Sequence, residues 1–322
     1  MNLTNGSNST VYSTLLFVFP NPDQGFAENV VFTLCALFLI AVALSSNLFI
    51  VVSLLKKSPI TASHHLIINL CFADIAKCLL FFVIFNVPVL CGSWQLGTWP
   101  CKILPGLFFA VLQVSVSILS FLAHDRYNAI AHPLTHSQTI AKTYAKLACY
   151  WMIHVAAFVG STVTPFQVHV FEGEARCSHL IPRTGSPSSN MMQGLFLQFF
   201  FQSIATHLEF LFYYVKIRRL LRANSKRFSE NNAAATSQRI ERNKRATNTV
   251  LASVLAYDFV TGPSIVLVMV GIAYADFAEL SVLREWGQLW LLLYGCVNPI
   301  LFIWRNVELK SALKSFVKKM RK

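Results

Sequence analysis

Charge is what this chain has least of. Only 13% of its 322 residues are Asp, Glu, Lys or Arg, against 55% hydrophobic, and the mean hydropathy is +0.53. A soluble domain needs far more polar surface, so that class is excluded, and apolar runs of bilayer-spanning length recur. Internal repeats are missing, which argues against most secondary transporters. No nucleophile–base pairing and no phosphate-cradling motif is present, so the chain does not read as an enzyme and no cofactor is expected. The eight cysteines show no metal-ligand spacing. None follows Cys296, so the C-terminal segment has no thiol for a thioester lipid anchor. The start is polar and lacks the basic stretch of a cleavable signal peptide. The first membrane helix is therefore expected to act as the signal.

What charge there is carries the orientation. The net charge is +13, yet the basic residues gather in alternate connections rather than on one nucleic-acid-binding face. They lie at Lys56 and Lys57, at Arg126, Lys142 and Lys146, densely from Lys216 to Arg245, and from Arg305 to Lys322. This alternation is the positive-inside pattern, so the long connection and the tail are predicted to be cytoplasmic and the N-terminus outside. Asn2, Asn5 and Asn8 each begin an N-glycosylation acceptor triplet at that outer end. The partners expected on composition alone are membrane lipid and no nucleic acid.

Hydropathy divides the chain into a polar, flexible, glycosylated segment over 1–28, a membrane domain over 29–304, and a basic tail over 305–322. Within the membrane domain, spans are predicted near 29–55, 62–90, 101–130, 143–165, 190–222, 239–273 and 282–304. A loose connection is expected over 223–238 and a small hairpin in the loop 166–189. Trp94 and Trp99 suit a membrane interface. In the tail, Val307, Leu309, Leu313, Phe316 and Val317 alternate with lysines, the pattern of an amphipathic helix on a membrane surface.

One charged cluster sits where a lipid-length apolar run ends: Asp125, Arg126 and Tyr127. Other polar residues lie deeper, where they are costly and usually functional. Asp74 is mid-span. Lys77 follows it by three residues and projects from the same helix face.

Taken in order, the motifs resemble those of rhodopsin-like (class A) G-protein-coupled receptors over essentially the whole chain. Asn47 lies in Ser45-Ser46-Asn47-Leu48, and Asp74 closes Asn69-Leu70-Cys71-Phe72-Ala73-Asp74. Trp94 and Gly97 precede Cys101; Asp125, Arg126 and Tyr127 end the third span; Trp151 lies in the fourth. Tyr214 leads Tyr-x-x-Ile-x-x-x-Leu, Pro263 is the sixth-span proline, and Asn298-Pro299-x-x-Phe302 ends the seventh. The resemblance implies an all-α membrane protein, a seven-transmembrane helix bundle with a short amphipathic eighth helix. It also implies an extracellular ligand, a heterotrimeric G protein as partner, and a Cys101–Cys177 disulfide.

The resemblance assigns further roles. Asp74, with Ser115, Asn298 and waters, would hold a sodium ion. The other reading is a structural hydrogen bond to the first and seventh spans through Asn47 and Asn298. Tyr294 and Gly295 stand where small polar side chains are usual. Lys77 has three readings: a cation paired with Asp74 in place of sodium, an anchor for an anionic ligand group, or a residue snorkelling to an interface. Pro263 would be the hinge of the sixth span. The usual Trp and Phe beneath it are here Thr261 and Tyr257, and Thr206 replaces the fifth-span proline, so the member is atypical. Asp258 and Glu209 read as further buried acids, each either functional or simply satisfied by a neighbouring donor.

Two ligand classes are excluded on this comparison. Leu292 stands where opsins carry the retinal lysine, and Phe108 where amine receptors carry an aspartate. Phe108, Phe109, Leu112, Gln288 and the run Phe199-Phe200-Phe201 suggest an apolar, aromatic cavity for a peptide or a small apolar molecule; the other reading is that much of this aromatic content faces lipid or core. A ligand-independent receptor and a non-coupling decoy or heterodimer partner remain as alternatives. At the cytoplasmic end, Asn243 occupies the place of the acid that would clamp Arg126, and Glu241 lies off that face. Tyr214 still offers a hydroxyl to Arg126, but Phe302 does not. Loss of one contact from each state predicts measurable basal activity.

Overall fold

The structure is a computed structural model that describes residues 12–19, 25–58, 60–132, 140–163, 166–171, 174–182, 187–229, 234–273 and 279–321. Its helices are α1 (Phe26–Leu55), α2 (Ala62–Cys91), α3 (Thr98–Ala131), α4 (Ile140–Thr162), α5 (Pro187–Ser229), α6 (Ala234–Ala273), α7 (Glu279–Arg305) and α8 (Val307–Met320). Of the described helices, α1, α2 and α3 are long and apolar enough to cross a membrane on those criteria alone. Pro88 lacks the N–H that would continue the α-ladder, and α2 absorbs this with a π-turn over Phe82–Asn86.

The bundle is organised around α3, which is buried along nearly its whole length and packs on α2, α4, α5 and α6. Gly106 allows its closest approach to α4. A Cβ there would lie 2.4 Å from Thr162 Oγ1, 2.7 Å from the Phe158 carbonyl oxygen and 2.8 Å from Val159 Cα. Outward-facing side chains such as Phe38, Met152, Leu208, Phe259 and Trp304 are exposed, as lipid-facing positions are. At the opposite pole, Asn306 caps α8 by accepting from the Glu308 and Leu309 amides at 3.0 and 3.4 Å. Leu309 is buried, Phe316 lies 6.0 Å from Phe49, and Lys57 pairs with Glu308, so α8 is docked against α1 as an amphipathic helix should be.

Three expectations are corrected. The first concerns 1–28, read as polar and flexible. Tyr12–Phe19 instead forms strand β1, antiparallel to β3 (Glu174–Pro182), which also pairs with β2 (Phe166–Phe171) in the order β1-β3-β2. The β2–β3 hairpin was expected; its free edge needed a partner, and Leu15-Leu16-Phe17-Val18-Phe19 is an apolar run suited to supply it. Secondly, the connection 223–238 is not loose throughout: α5 continues to Ser229 and α6 begins at Ala234. Its Ala, Arg, Lys and Gln residues carry good helix propensity, which outweighs their low hydrophobicity. The last concerns Trp94, which is not at an interface but 3% exposed. Its indole donates to the Gly97 carbonyl at 2.8 Å and its amide to the Ala175 carbonyl at 2.6 Å, fastening the sheet to the bundle. Trp99 is exposed as expected. The Cys101–Cys177 disulfide is formed and holds the head of α3 to β3.

Candidate functional site

The polar centre of the bundle is an ion pair. Lys77 Nζ donates to Asp74 Oδ1 at 2.9 Å, and both side chains are wholly buried. Helical spacing of three residues aims both from one face of α2. The second carboxylate oxygen accepts from Asn298 Nδ2 of α7 at 3.2 Å. Lys77 Nζ also lies 4.7 Å from the centroid of the Tyr294 ring, within cation–π range. Gly295 lies against the lysine: a Cβ there would make ordinary van der Waals contact with Lys77 Cε at 3.4 Å and Nζ at 3.6 Å. Asn47 does not reach Asp74. It donates to the Ala43 carbonyl at 2.9 Å and the Gly295 carbonyl at 3.0 Å, tying α1 to α7. Ser115 is buried, and its hydroxyl donates to the carbonyl of Val111 in its own helix at 3.1 Å. The donor set therefore does not fit a sodium ion: both carboxylate oxygens have partners, and the cation's place is taken by an ammonium.

At the far end of α3, Asp125 is 2% exposed and accepts from Ser63 Oγ of α2 at 2.5 Å. Arg126 and Tyr127 beside it are half-buried. Tyr127 packs near Tyr213 of α5 at 5.7 Å, and Lys216 lies 5.3 Å over its ring. Tyr214 stacks on Phe210 at 5.9 Å with Arg218 over its face at 6.0 Å. Pro299 and Phe302 are buried in α7. Asn243 is half-buried, and Glu241 spends its charge on its own helix, 3.3 Å from Arg245 Nε and 4.0 Å from Lys244 Nζ.

Near the ion pair, and linked to it through Tyr257, which packs on His207 at 6.0 Å and on Tyr294 at 5.2 Å, lies a contact that sequence reasoning missed. His207 Nε2 of α5 meets Asp258 Oδ1 of α6 at 2.6 Å, and its Nδ1 meets the Ser203 carbonyl at 2.5 Å. Ser203 Oγ in turn donates to Gln113 Oε1 of α3 at 3.1 Å. A polar chain thus runs from α3 through α5 to α6, five residues before Pro263. Asp258 and Glu209 are corrected here: Asp258 is exposed and satisfied by His207, and Glu209 is half-buried. Hydropathy places them at membrane depth but does not say which way they face. Thr261 is buried and donates to the Tyr257 carbonyl at 2.7 Å. Thr206 likewise donates to the Gln202 and Ser203 carbonyls at 3.0 and 2.9 Å. Both threonines are absorbed by their own helices. Tyr257 is buried edge-on to Tyr294, with ring centroids 5.2 Å apart.

Towards the disulfide end, Phe108 and Leu112 are buried, and Phe108 packs with Phe81, Phe85 and Phe109 at centroid distances of 6.0–6.2 Å. Phe200 and Phe201 are exposed, 46% and 63%, so they face outward and not into a cavity. The side chains of Phe199 and Gln288 lie outside the described residues, as do Asn2, Asn5 and Asn8. Asn86, in the π-turn, is fully buried, and neither of its amide atoms has a hydrogen-bond partner. Its only sequence signal was an amide near Pro88.

The sequence matches the family described as 7 transmembrane receptor (rhodopsin family) over residues 46–302. A crystal structure of squid rhodopsin is similar in fold, with a TM-score of 0.75 at 15% identity, over 93% of this chain and 87% of that one.

Proposed function

The chain belongs to the rhodopsin family of seven-transmembrane receptors, and from that membership we propose that it passes the binding of an extracellular ligand to a heterotrimeric G protein. It is a multi-pass membrane protein, oriented with the glycosylated N-terminus outside and the basic tail in the cytoplasm. The observation that carries the reading is the Asp125 site. A carboxylate is buried at the end of the central helix and held by Ser63, with Arg126 next to it in sequence and Lys216 of α5 over the ring of Tyr127. A hydrogen bond to a charged group contributes about 1.5–3 kcal/mol. That suffices to hold a resting state, yet a ligand with modest differential affinity overcomes it.

The mechanism follows from the helix contacts. Pro263 has no N–H to give, so α6 bends there at low cost. Outward movement of its cytoplasmic half exposes Arg126 to a partner, and Lys216, Arg218, Arg219 and Arg222 then face an acidic-leaning surface. At the other pole, the half-buried Phe109 beside the buried aromatic cluster of Phe81, Phe85 and Phe108 favours a small apolar molecule or an apolar peptide side chain. Asn243, neutral where the family resemblance places an acid, supports a receptor with basal activity.

Nucleotide exchange by each G-protein class, measured on membranes containing the receptor without added ligand, tests this. Exchange above that of receptor-free membranes by at least one class is the expected result. No exchange with any class points to the non-coupling reading, which the self-bonded Thr261 and Thr206 hydroxyls favour.

A further inference from the structure

We propose that this receptor carries its own covalently attached cation, Lys77, at the site where its family holds sodium, and that it neither takes up nor responds to that ion. The inference rests on the receptor reading only in naming sodium as the ion displaced; the ion-pair geometry stands without it.

Four observations converge on it. The Asp74 carboxylate is fully engaged, one oxygen with Lys77 Nζ at 2.9 Å and the other with Asn298 Nδ2 at 3.2 Å. Lys77 is 0% exposed, which removes its two other readings, since an interface lysine needs an exposed head and a ligand anchor needs access to a cavity. The surroundings fit an ammonium and not a metal ion. Tyr294 offers a ring face 4.7 Å away, and Gly295 has no side chain to offer. Ser115, the remaining hydroxyl assigned to the sodium site, is turned to its own backbone at 3.1 Å. A second cation at the same carboxylate would meet the full repulsion of the first in a medium of low dielectric. Two acceptors, Asn47 Oδ1 and Asn298 Oδ1, have no direct hydrogen-bond partner. They are neutral amide oxygens, which buried water satisfies without a net charge.

The consequence is a site whose charge is complete at every salt concentration. A mobile ion leaves and re-enters, so the state it favours depends on the medium. A tethered one does not, so the equilibrium between resting and active helix arrangements is set by the chain and its ligand alone.

The test uses the full-length purified receptor and its thermal unfolding midpoint, in sodium chloride and in choline chloride at equal ionic strength. Three proteins are compared: wild type, Lys77→Met, and the double variant Lys77→Met with Asp74→Asn. Wild type is expected to melt at the same temperature in both salts. Lys77→Met leaves a buried carboxylate without its cation and is expected to melt about 5–10 °C lower. The double variant, which removes both charges, is expected to recover most of that loss. A wild-type midpoint that rises with sodium overturns the proposal. So does Lys77→Met as stable as wild type in choline, or a double variant no more stable than the single one. The wild-type comparison needs no variant to fold, and no arm needs a G protein, so a receptor that fails to couple leaves this result readable.

Discussion

Breaking the contact between His207 and Asp258 should release α6. Asp258 lies five residues before Pro263, about 7.5 Å along the axis at 1.5 Å per residue. A bend of about 20° at the proline carries it roughly 2.6 Å sideways. The bond is 2.6 Å long at rest, so this motion stretches it past 3.5 Å whether Asp258 moves across or away from His207. On that geometry, a further bend of this size at Pro263 breaks the contact. Interhelical polar contacts in membranes contribute about 0.6 kcal/mol on average and up to about 1.7. A short bond to a carboxylate belongs at the upper end, about 1–1.7 kcal/mol, or roughly a five- to twenty-fold bias towards the resting state. Asp258→Asn and His207→Ala should each raise basal nucleotide exchange by a comparable factor. The double variant should rise no further than the larger single, because the two residues act through one contact. Additive effects, or a fall in basal exchange, would refute the assignment. A spin-label distance between the cytoplasmic ends of α3 and α6 gives the same answer for a receptor that does not couple: the variants should populate the longer distance.

Other expected outcomes concern packing and the resting clamp. Gly106→Ala places a methyl group 2.7 Å from a backbone carbonyl and 2.8 Å from a backbone Cα of α4, so the helices must separate. A loss of about 1–3 kcal/mol is expected, seen as a lowered unfolding midpoint in detergent, whereas Gly160→Ala, with nothing within 4 Å, should be silent. Asn243→Glu puts an acid at the position where the family resemblance places the clamp on Arg126, and should lower basal exchange several-fold, for a contact of roughly 1 kcal/mol. An unchanged baseline in that variant, alongside a response that Arg126→Ala abolishes from silence, would remove the case for basal activity.

How much of this was legible in the sequence depended on the range of the contact. Asp74 and Lys77 are three residues apart on one helix, so their pairing followed from helical geometry. The spans followed from hydropathy, and the Cys101–Cys177 bridge from family resemblance. His207 and Asp258 are 51 residues apart on two helices, and no local periodicity links them. The same gap misplaced Asp258 and Glu209, because apolar runs fix depth in a membrane but not rotation about the helix axis. Trp94 looked interfacial because Trp commonly is, yet its indole and amide bind the loop and the sheet. The reach of α5 and α6 beyond the apolar segments was hidden because helix propensity and hydrophobicity are separate properties.

The pairing of β1 with β3 sets an order of events in synthesis. Tyr12 is made near the start of the chain, and its partner Pro182 is 170 residues later. At about 5–20 residues per second, the first strand waits roughly 10–30 s for the second to emerge. During that interval the run Leu15-Leu16-Phe17-Val18-Phe19 has none of its native strand partners, while four helices are threaded into the bilayer. A chain delayed within those helices would prolong that wait and expose an apolar strand to other nascent chains. Substitutions in α1–α4 that slow insertion should then reach the cell surface in smaller amounts without weakening the finished receptor.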